Sequence, residues 1–134
     1  HKDLLNTAFS FRFENRIEIH NLAKEKIYKI PNAFGELLSL NENANALLVG
    51  NYNSKELKIY RVQDGKALAK LELDSPLLGL VNINSNNFFA FTEKNEILPI
   101  VYDGELKLKT PIQERAKLTK EMSVQWHHND DVIS

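Results

Sequence analysis

The stretch Leu57-Lys58-Ile59-Tyr60-Arg61-Val62-Gln63-Asp64-Gly65-Lys66-Ala67-Leu68-Ala69-Lys70-Leu71 decides the fold class. Leu57 and Ile59 stand two residues apart with charged residues between and around them, the period of a strand with one buried face. Asp64-Gly65 then supplies a left-handed turn position followed by a residue with no Cβ, which suits the twist of two antiparallel strands joined by a tight hairpin. The unit is strand, turn, strand. The same alternation recurs outward in both directions, at Phe9 and Phe11, Ile17 and Ile19, Leu71 and Leu73, and Leu106 and Leu108, with a second hairpin signal at Asp103-Gly104. Asparagine-rich breaks separate these runs, at Asn41 to Asn45, Asn51 to Ser54 and Asn82 to Asn87. Asparagine tolerates the left-handed region and can bond its own turn, so the breaks are expected to be short connections. The class expected is all-β.

Shifting the chain by forty residues lays Thr7-Ala8-Phe9-Ser10-Phe11 over Leu47-Leu48-Val49-Gly50-Asn51, and that over Asn87-Phe88-Phe89-Ala90-Phe91. A small residue, Ser10, Gly50 or Ala90, falls at the fourth place of each copy. Arg16 to Leu22 falls over Glu56 to Val62, and Leu37-Leu38-Ser39-Leu40 over Leu77-Leu78-Gly79-Leu80. A third copy of the later strands follows at Ile97 to Tyr102 and Glu105 to Ile112, and Trp126 aligns with Leu40 and Leu80. The repeat is therefore about forty residues, with four short strands in each unit. Strands this short cannot bury both faces of a meander alone, so successive units are expected to stack face to face, the small residue admitting the neighbouring sheet. The residues leave open a small antiparallel barrel or sandwich as the alternative.

This period, with four strands per unit and a small residue in the second strand, resembles the blades of WD-repeat-like β-propellers. Leu57 to Leu71 resembles the third strand, turn and fourth strand of such a blade. Where that family carries its Trp-Asp pair the chain has His20-Asn21, Tyr60-Arg61 and Tyr102-Asp103, and the Gly-His pair is missing, as in a divergent member. The resemblance implies four-stranded antiparallel meander repeats forming a partial β-propeller over residues 1–134, with units near 1–36, 37–76 and 77–121 and a further unit starting at 122–134. The strand near Thr7 is second in its unit, and Asp131 to Ser134 reads as another second strand. About three blades are thus in view, expected to be part of a larger propeller or to be completed by another copy.

Composition excludes several functions. With no cysteine, a disulfide framework, a cysteine nucleophile and thiolate metal sites are ruled out. A formal net charge of -1 and scattered basic residues argue against nucleic acid as partner. The sequence holds no apolar run of about 20 residues and opens on no export signal, so no membrane partner is expected, a soluble chain is, and the compartment stays open. His127-His128-Asn129-Asp130-Asp131 is the only cluster of metal-ligand types and lacks a completing ligand nearby. No phosphate loop, nucleophile elbow, zinc helix or calcium loop occurs, and no cofactor is implied. His20 has no partner serine or acid at a defined spacing, so no triad is argued.

The function expected is a non-enzymatic interaction scaffold, with protein partners or remaining blades of the same protein, or a second copy covering exposed sheet faces. Part of an enzyme or cofactor-binding propeller with a central-channel site, and a small ligand-binding barrel, are the alternatives. The binding face is expected where successive units connect: Pro31 to Gly35, Asp74-Ser75-Pro76, and the charged segment Gln113 to Glu121. Its candidate residues are Phe34, Asp74, Arg115 and Lys117; Phe34, an apolar ring in a loop, and Arg115, a planar donor fork, are of kinds enriched at interface centres, and a Phe34 side chain tucked under its own loop is the alternative.

Overall fold

The computed structural model describes residues 6–109. They form eleven strands, β1 (Asn6–Phe11), β2 (Arg16–Asn21), β3 (Lys26–Pro31), β4 (Leu37–Leu40), β5 (Ala46–Gly50), β6 (Glu56–Arg61), β7 (Ala67–Glu72), β8 (Leu77–Asn84), β9 (Asn87–Thr92), β10 (Ile97–Tyr102) and β11 (Leu106–Leu108). Every neighbouring pair within a sheet is antiparallel and sequential: β1-β2-β3 in sheet 1, β4-β5-β6-β7 in sheet 2 and β8-β9-β10-β11 in sheet 3. The described strands stay in three separate open sheets, which excludes the barrel alternative.

Two apolar layers hold the sheets together. Ile17, Ile19 and Ile30 of sheet 1 pack on Leu47, Val49, Tyr60 and Val62 of sheet 2. Leu48, Leu57 and Ile59, on the other face of sheet 2, pack on Phe88, Ala90, Leu98 and Ile100 of sheet 3. All five residues of β5 are buried, Leu47 and Val49 toward sheet 1, Ala46 and Leu48 toward sheet 3. That is why the strand reads as an unbroken apolar run where its neighbours alternate. At about 1.5–3 kcal/mol per fully buried large aliphatic side chain, these two layers supply the main force that stacks the sheets.

Of the three asparagine-rich breaks only one has an asparagine in the left-handed region, Asn53; in the other two the residue at positive φ is Ala44, at 57°, and Ser85, at 40°. Asn15, Asn32, Asn53 and Asn95 all sit at positive φ, between 51° and 63°, each closing a connection in the left-handed region these side chains tolerate. Gly65 and Gly104, of the two Asp-Gly hairpins, have φ of 72° and 105°. In the first of these hairpins, Asp64 accepts two bonds from the Arg61 guanidinium at 3.0 and 2.7 Å and a third from the Lys66 amide at 3.1 Å. Together they bring its carboxyl down to about 2, with the arginine bonds the largest cause. One break is shorter than the sequence suggests: Asn82 to Asn84 continue β8, leaving Ser85-Asn86 as the turn. The Asn82 amide bonds the Ser85 and Asn87 carbonyls, so this asparagine braces the hairpin from inside the strand.

The third copy of the repeat is displaced by one residue from the forty-residue alignment. Leu48 pairs with Ile59, and Phe89 pairs with Pro99, so Phe89 takes the place of Leu48, and Phe91 that of Gly50. Ala90, aligned by sequence with Ser10 and Gly50, instead faces sheet 2 beside Phe88. The connection from β9 to β10 is one residue shorter than that from β5 to β6, and a one-residue slip carries a side chain to the opposite face. The close approach itself is present at Gly50, where a Cβ would lie 2.7 Å from Leu77 Cδ1 and 3.2 Å from Leu57 Cδ2.

Candidate functional site: the loop face

The connections β1–β2, β3–β4, β5–β6, β7–β8 and β9–β10 all emerge on one side of the stacked sheets, because each joins strands that run toward and then away from that side. They are bonded to one another through the backbone. The Ala33 amide donates to the Asn15 carbonyl at 3.1 Å, Leu77 to Ser54 at 2.9 Å, Leu73 to Lys55 at 2.7 Å and Glu93 to Pro76 at 3.0 Å. Side chains add a second set. Glu36 Oε1 accepts from the Tyr52 amide at 3.1 Å, Asn51 Oδ1 accepts from the Glu36 amide at 3.0 Å, and Asn51 Nδ2 donates to the Phe34 carbonyl at 3.5 Å. The loops therefore form a platform and do not hang as independent arms.

Phe34 lies at the centre of this platform. Its ring is half-buried and carries the Arg12 guanidinium 4.6 Å above its centroid, a cation–π contact. Arg12 also reaches Glu36 at 3.6 Å, so it is positioned from two sides. Beside it, Phe13 at the tip of the β1–β2 connection is 97% exposed, and Tyr52 in the β5–β6 connection is 49% exposed. A small polar cleft of about 210 Å³ opens next to Phe34, lined in part by Asn32, Asn51, Ser54, Glu56 and Lys58. Asp74 is exposed in the β7–β8 connection on the same side. Of the four candidate residues, the structure thus places Phe34 and Asp74 on one face; Arg115 and Lys117, with the Gln113 to Glu121 segment and the His127 to Asp131 cluster, lie outside the described residues. Arg12, Phe13 and Tyr52 were missed by sequence reasoning. The available signal was an aromatic ring inside a turn, Phe13 ahead of Glu14-Asn15 and Tyr52 between two asparagines.

Two other features gather polar groups or open space. On the face of sheet 1 turned away from sheet 2, Glu18 is buried and accepts from Arg16 Nε at 2.7 Å, and its other oxygen lies 2.9 Å from His20 Nε2. The Arg16 bond first, and His20 second, hold the Glu18 carboxyl below the usual carboxylate range. His20 also packs edge-on against Phe9, with centroids 4.9 Å apart, and Arg16 covers Phe11 at 4.4 Å. All three polar groups are thus occupied with one another, an arrangement that braces the strand. The second feature is a groove of about 880 Å³ along the inner strands, lined by Asn6 to Ala8, Leu38 to Glu42 and Leu80 to Ile83. Among the described residues no group of three or more metal-ligand side chains converges, and no helix is long and apolar enough to cross a membrane.

This architecture, sequential antiparallel sheets stacked face to face with their connections gathered on a common side, is that of a β-propeller. No family model and no curated protein matches the chain. Solved structures do. A chain of the mitotic checkpoint complex superposes with a TM-score of 0.59 at 15% identity, covering 79% of this chain and 35% of that one. The β-propeller domain of Cps50 (Swd1) from Myceliophteria thermophila gives 0.53 at 14% identity, covering 86% and 42%, and the RRP9 WD40 repeats give 0.56 at 12%, covering 73% and 32%. The three sheets are blades of a partial β-propeller, similar in fold to these structures, and the chain spans about a third to two-fifths of their length.

Proposed function

We propose that the chain is a non-enzymatic protein-interaction module that docks partners on its loop face, through Phe34 and Asp74 with Arg115 and Lys117 of the same 1–134 propeller domain. The observation that carries this reading is the exposure of Phe13 and Tyr52 beside a Phe34 ring whose loop is already fixed by hydrogen bonds. Aromatic rings on a rigid support lose little conformational entropy on binding, and Tyr, Trp and Arg are the usual anchors of interfaces. The similarity to a chain of the mitotic checkpoint complex, a multiprotein assembly, supports a role among protein partners.

The test replaces Phe13 with a photoreactive benzoylphenylalanine and, as control, places the same group at the exposed Lys24, in the β2–β3 connection on the opposite side. Irradiation in cell extract is expected to attach one protein from position 13 and not from position 24. That protein, purified, should bind Phe34→Ala and Asp74→Ala variants at least tenfold more weakly, with their melting temperatures within a few degrees of the parent. Equal cross-linking from both positions, or unchanged affinity in both variants, would refute the assignment.

A further inference from the structure

The cleft beside Phe34 is lined by a polar group that the fold itself does not use. Glu56, Lys58 and Tyr60 alternate along β6 and so share the face turned to sheet 1, with Tyr60 furthest along the strand from the loop side. Tyr60 is only 9% exposed. Its ring belongs to the apolar layer that includes Ile17, Ile19 and Ile30, while the residue also lines the cleft. The Tyr60 hydroxyl makes no hydrogen bond among the described residues. A buried hydroxyl left unpaired costs about 1–3 kcal/mol, so its bond has to come from whatever fills the cleft. Further groups on the same wall are equally available. Lys58 Nζ and Glu56 Oε1 stand 3.6 Å apart, an ion pair with no hydrogen bond, each side chain about half exposed. The side chains of Asn15 and Asn32, both at positive φ, also line the cleft and make no side-chain hydrogen bond among the described residues.

We propose that this cleft binds one neutral monosaccharide, either a free sugar or the terminal residue of a glycan. Size favours this occupant. The cleft holds about 210 Å³, below the roughly 300–1,000 Å³ of sites for drug-sized ligands, and suits a single pyranose ring. Charge excludes the ionic alternatives. An anion bound at Lys58 would face the Glu56 carboxylate, and a cation bound at Glu56 would face the Lys58 ammonium. Arg12, over the Phe34 ring, is likewise balanced by Glu36 at 3.6 Å. A neutral ligand with donors and acceptors on adjacent atoms satisfies both members of the pair. Two vicinal hydroxyls do so, one donating to Glu56 while its neighbour accepts from Lys58. A third hydroxyl turned inward meets the Tyr60 hydroxyl, which can donate or accept, and the Phe34 ring offers an apolar wall to the C–H face of the sugar. The walls are already fixed, the Ala33 amide donating to the Asn15 carbonyl at 3.1 Å, so little ordering is required on binding. The site uses neither Phe13 nor Tyr52 and stands apart from protein docking on the same face.

The test titrates the isotope-labelled 134-residue chain with D-glucose, D-galactose and D-mannose, each also as its methyl glycoside, and follows the backbone amide shifts. At least one sugar is expected to give saturable shifts in residues 32–34 and 54–60 and none in β9 or β10. Equal binding of its methyl glycoside assigns the ligand to a glycan terminus, and loss of binding on methylation assigns it to a free sugar. Tyr60→Phe should weaken binding at least fivefold with the melting temperature unchanged or raised, because the hydroxyl has no protein partner to lose. Lys58→Met, at a half-exposed position, should weaken it by a similar factor. No saturable shift with any of the sugars into the tens of millimolar, sodium acetate or methylammonium chloride shifting the same amides at lower concentration than every sugar, a drop of several degrees in the melting temperature of Tyr60→Phe, or unchanged affinity in both variants would each overturn the proposal.

Discussion

Replacing Gly65 with alanine tests whether the sheets are locked at their hairpins as well as through their apolar layers. Gly65 sits at φ 72°, where a Cβ residue pays about 1–2 kcal/mol for the left-handed backbone. The added Cβ would also meet the Lys29 carbonyl oxygen at 2.9 Å, Ile30 Cα at 3.2 Å and Pro31 Cδ at 3.3 Å. These atoms belong to β3 of the adjacent sheet, and the two nearest are backbone, which cannot turn aside as a flexible side chain can. Pushing the sheets apart there adds about 1–3 kcal/mol, so the whole loss should be roughly 2–5 kcal/mol. At Gly104 the φ of 105° is less accessible still to an L residue, yet nothing lies within 4 Å of its would-be Cβ, so Gly104→Ala carries a backbone cost alone. In urea unfolding, with m of about 1–3 kcal/mol/M, Gly65→Ala should lower the midpoint by on the order of 1–2 M. A loss at Gly65 no larger than about 1–2 kcal/mol, that of the left-handed backbone alone, would show that its contact with β3 contributes nothing.

Two further outcomes follow from particular groups. Because Glu18 titrates below its ordinary value in the folded chain, its bonds to Arg16 and His20 add stability that is present above about pH 4.5 and lost as pH falls through the lowered value; Glu18→Gln should melt lower than the parent at pH 7 and approach it as the carboxyl is protonated at acid pH, and a difference that stays constant throughout an acid titration would contradict the pairing. Glu25 is exposed at φ 51°, so Glu25→Gly relieves left-handed strain at some cost in unfolded-chain entropy and should raise stability by about 0.5 kcal/mol in denaturant titration.

The strands were legible wherever one face is buried and the other wet, as at Ile17 and Ile19 or Leu57 and Ile59, since burial on one side leaves period two in the sequence. Register in the third copy was not. Phe88, Phe89 and Phe91 put large apolar groups on both faces of β9, so alternation could not say which side Ala90 takes, and the shortened β9–β10 connection became visible only through its pairing with β10. Asn82 and Asn84 were misread for a related reason: asparagine signals a turn by its tolerance of unusual backbone, and the same side chain can serve a turn from the adjacent strand. At the site, Phe34 and Asp74 were legible as loop residues with interface chemistry. Arg12 was not, because its place over the Phe34 ring depends on two connections 20 residues apart being brought side by side.

The bonds that tie the loop platform together run largely from amide to carbonyl: Ala33 to Asn15, Leu77 to Ser54, Glu93 to Pro76. A backbone bond is indifferent to the side chain borne by the residue that makes it, proline apart. Phe13 and Tyr52 can therefore be exchanged for other chemistries with little penalty to the scaffold, whereas Phe88 or Leu57 cannot. Selection, or a combinatorial library, can thus rewrite the recognition surface in small steps while the fold beneath it stays constant.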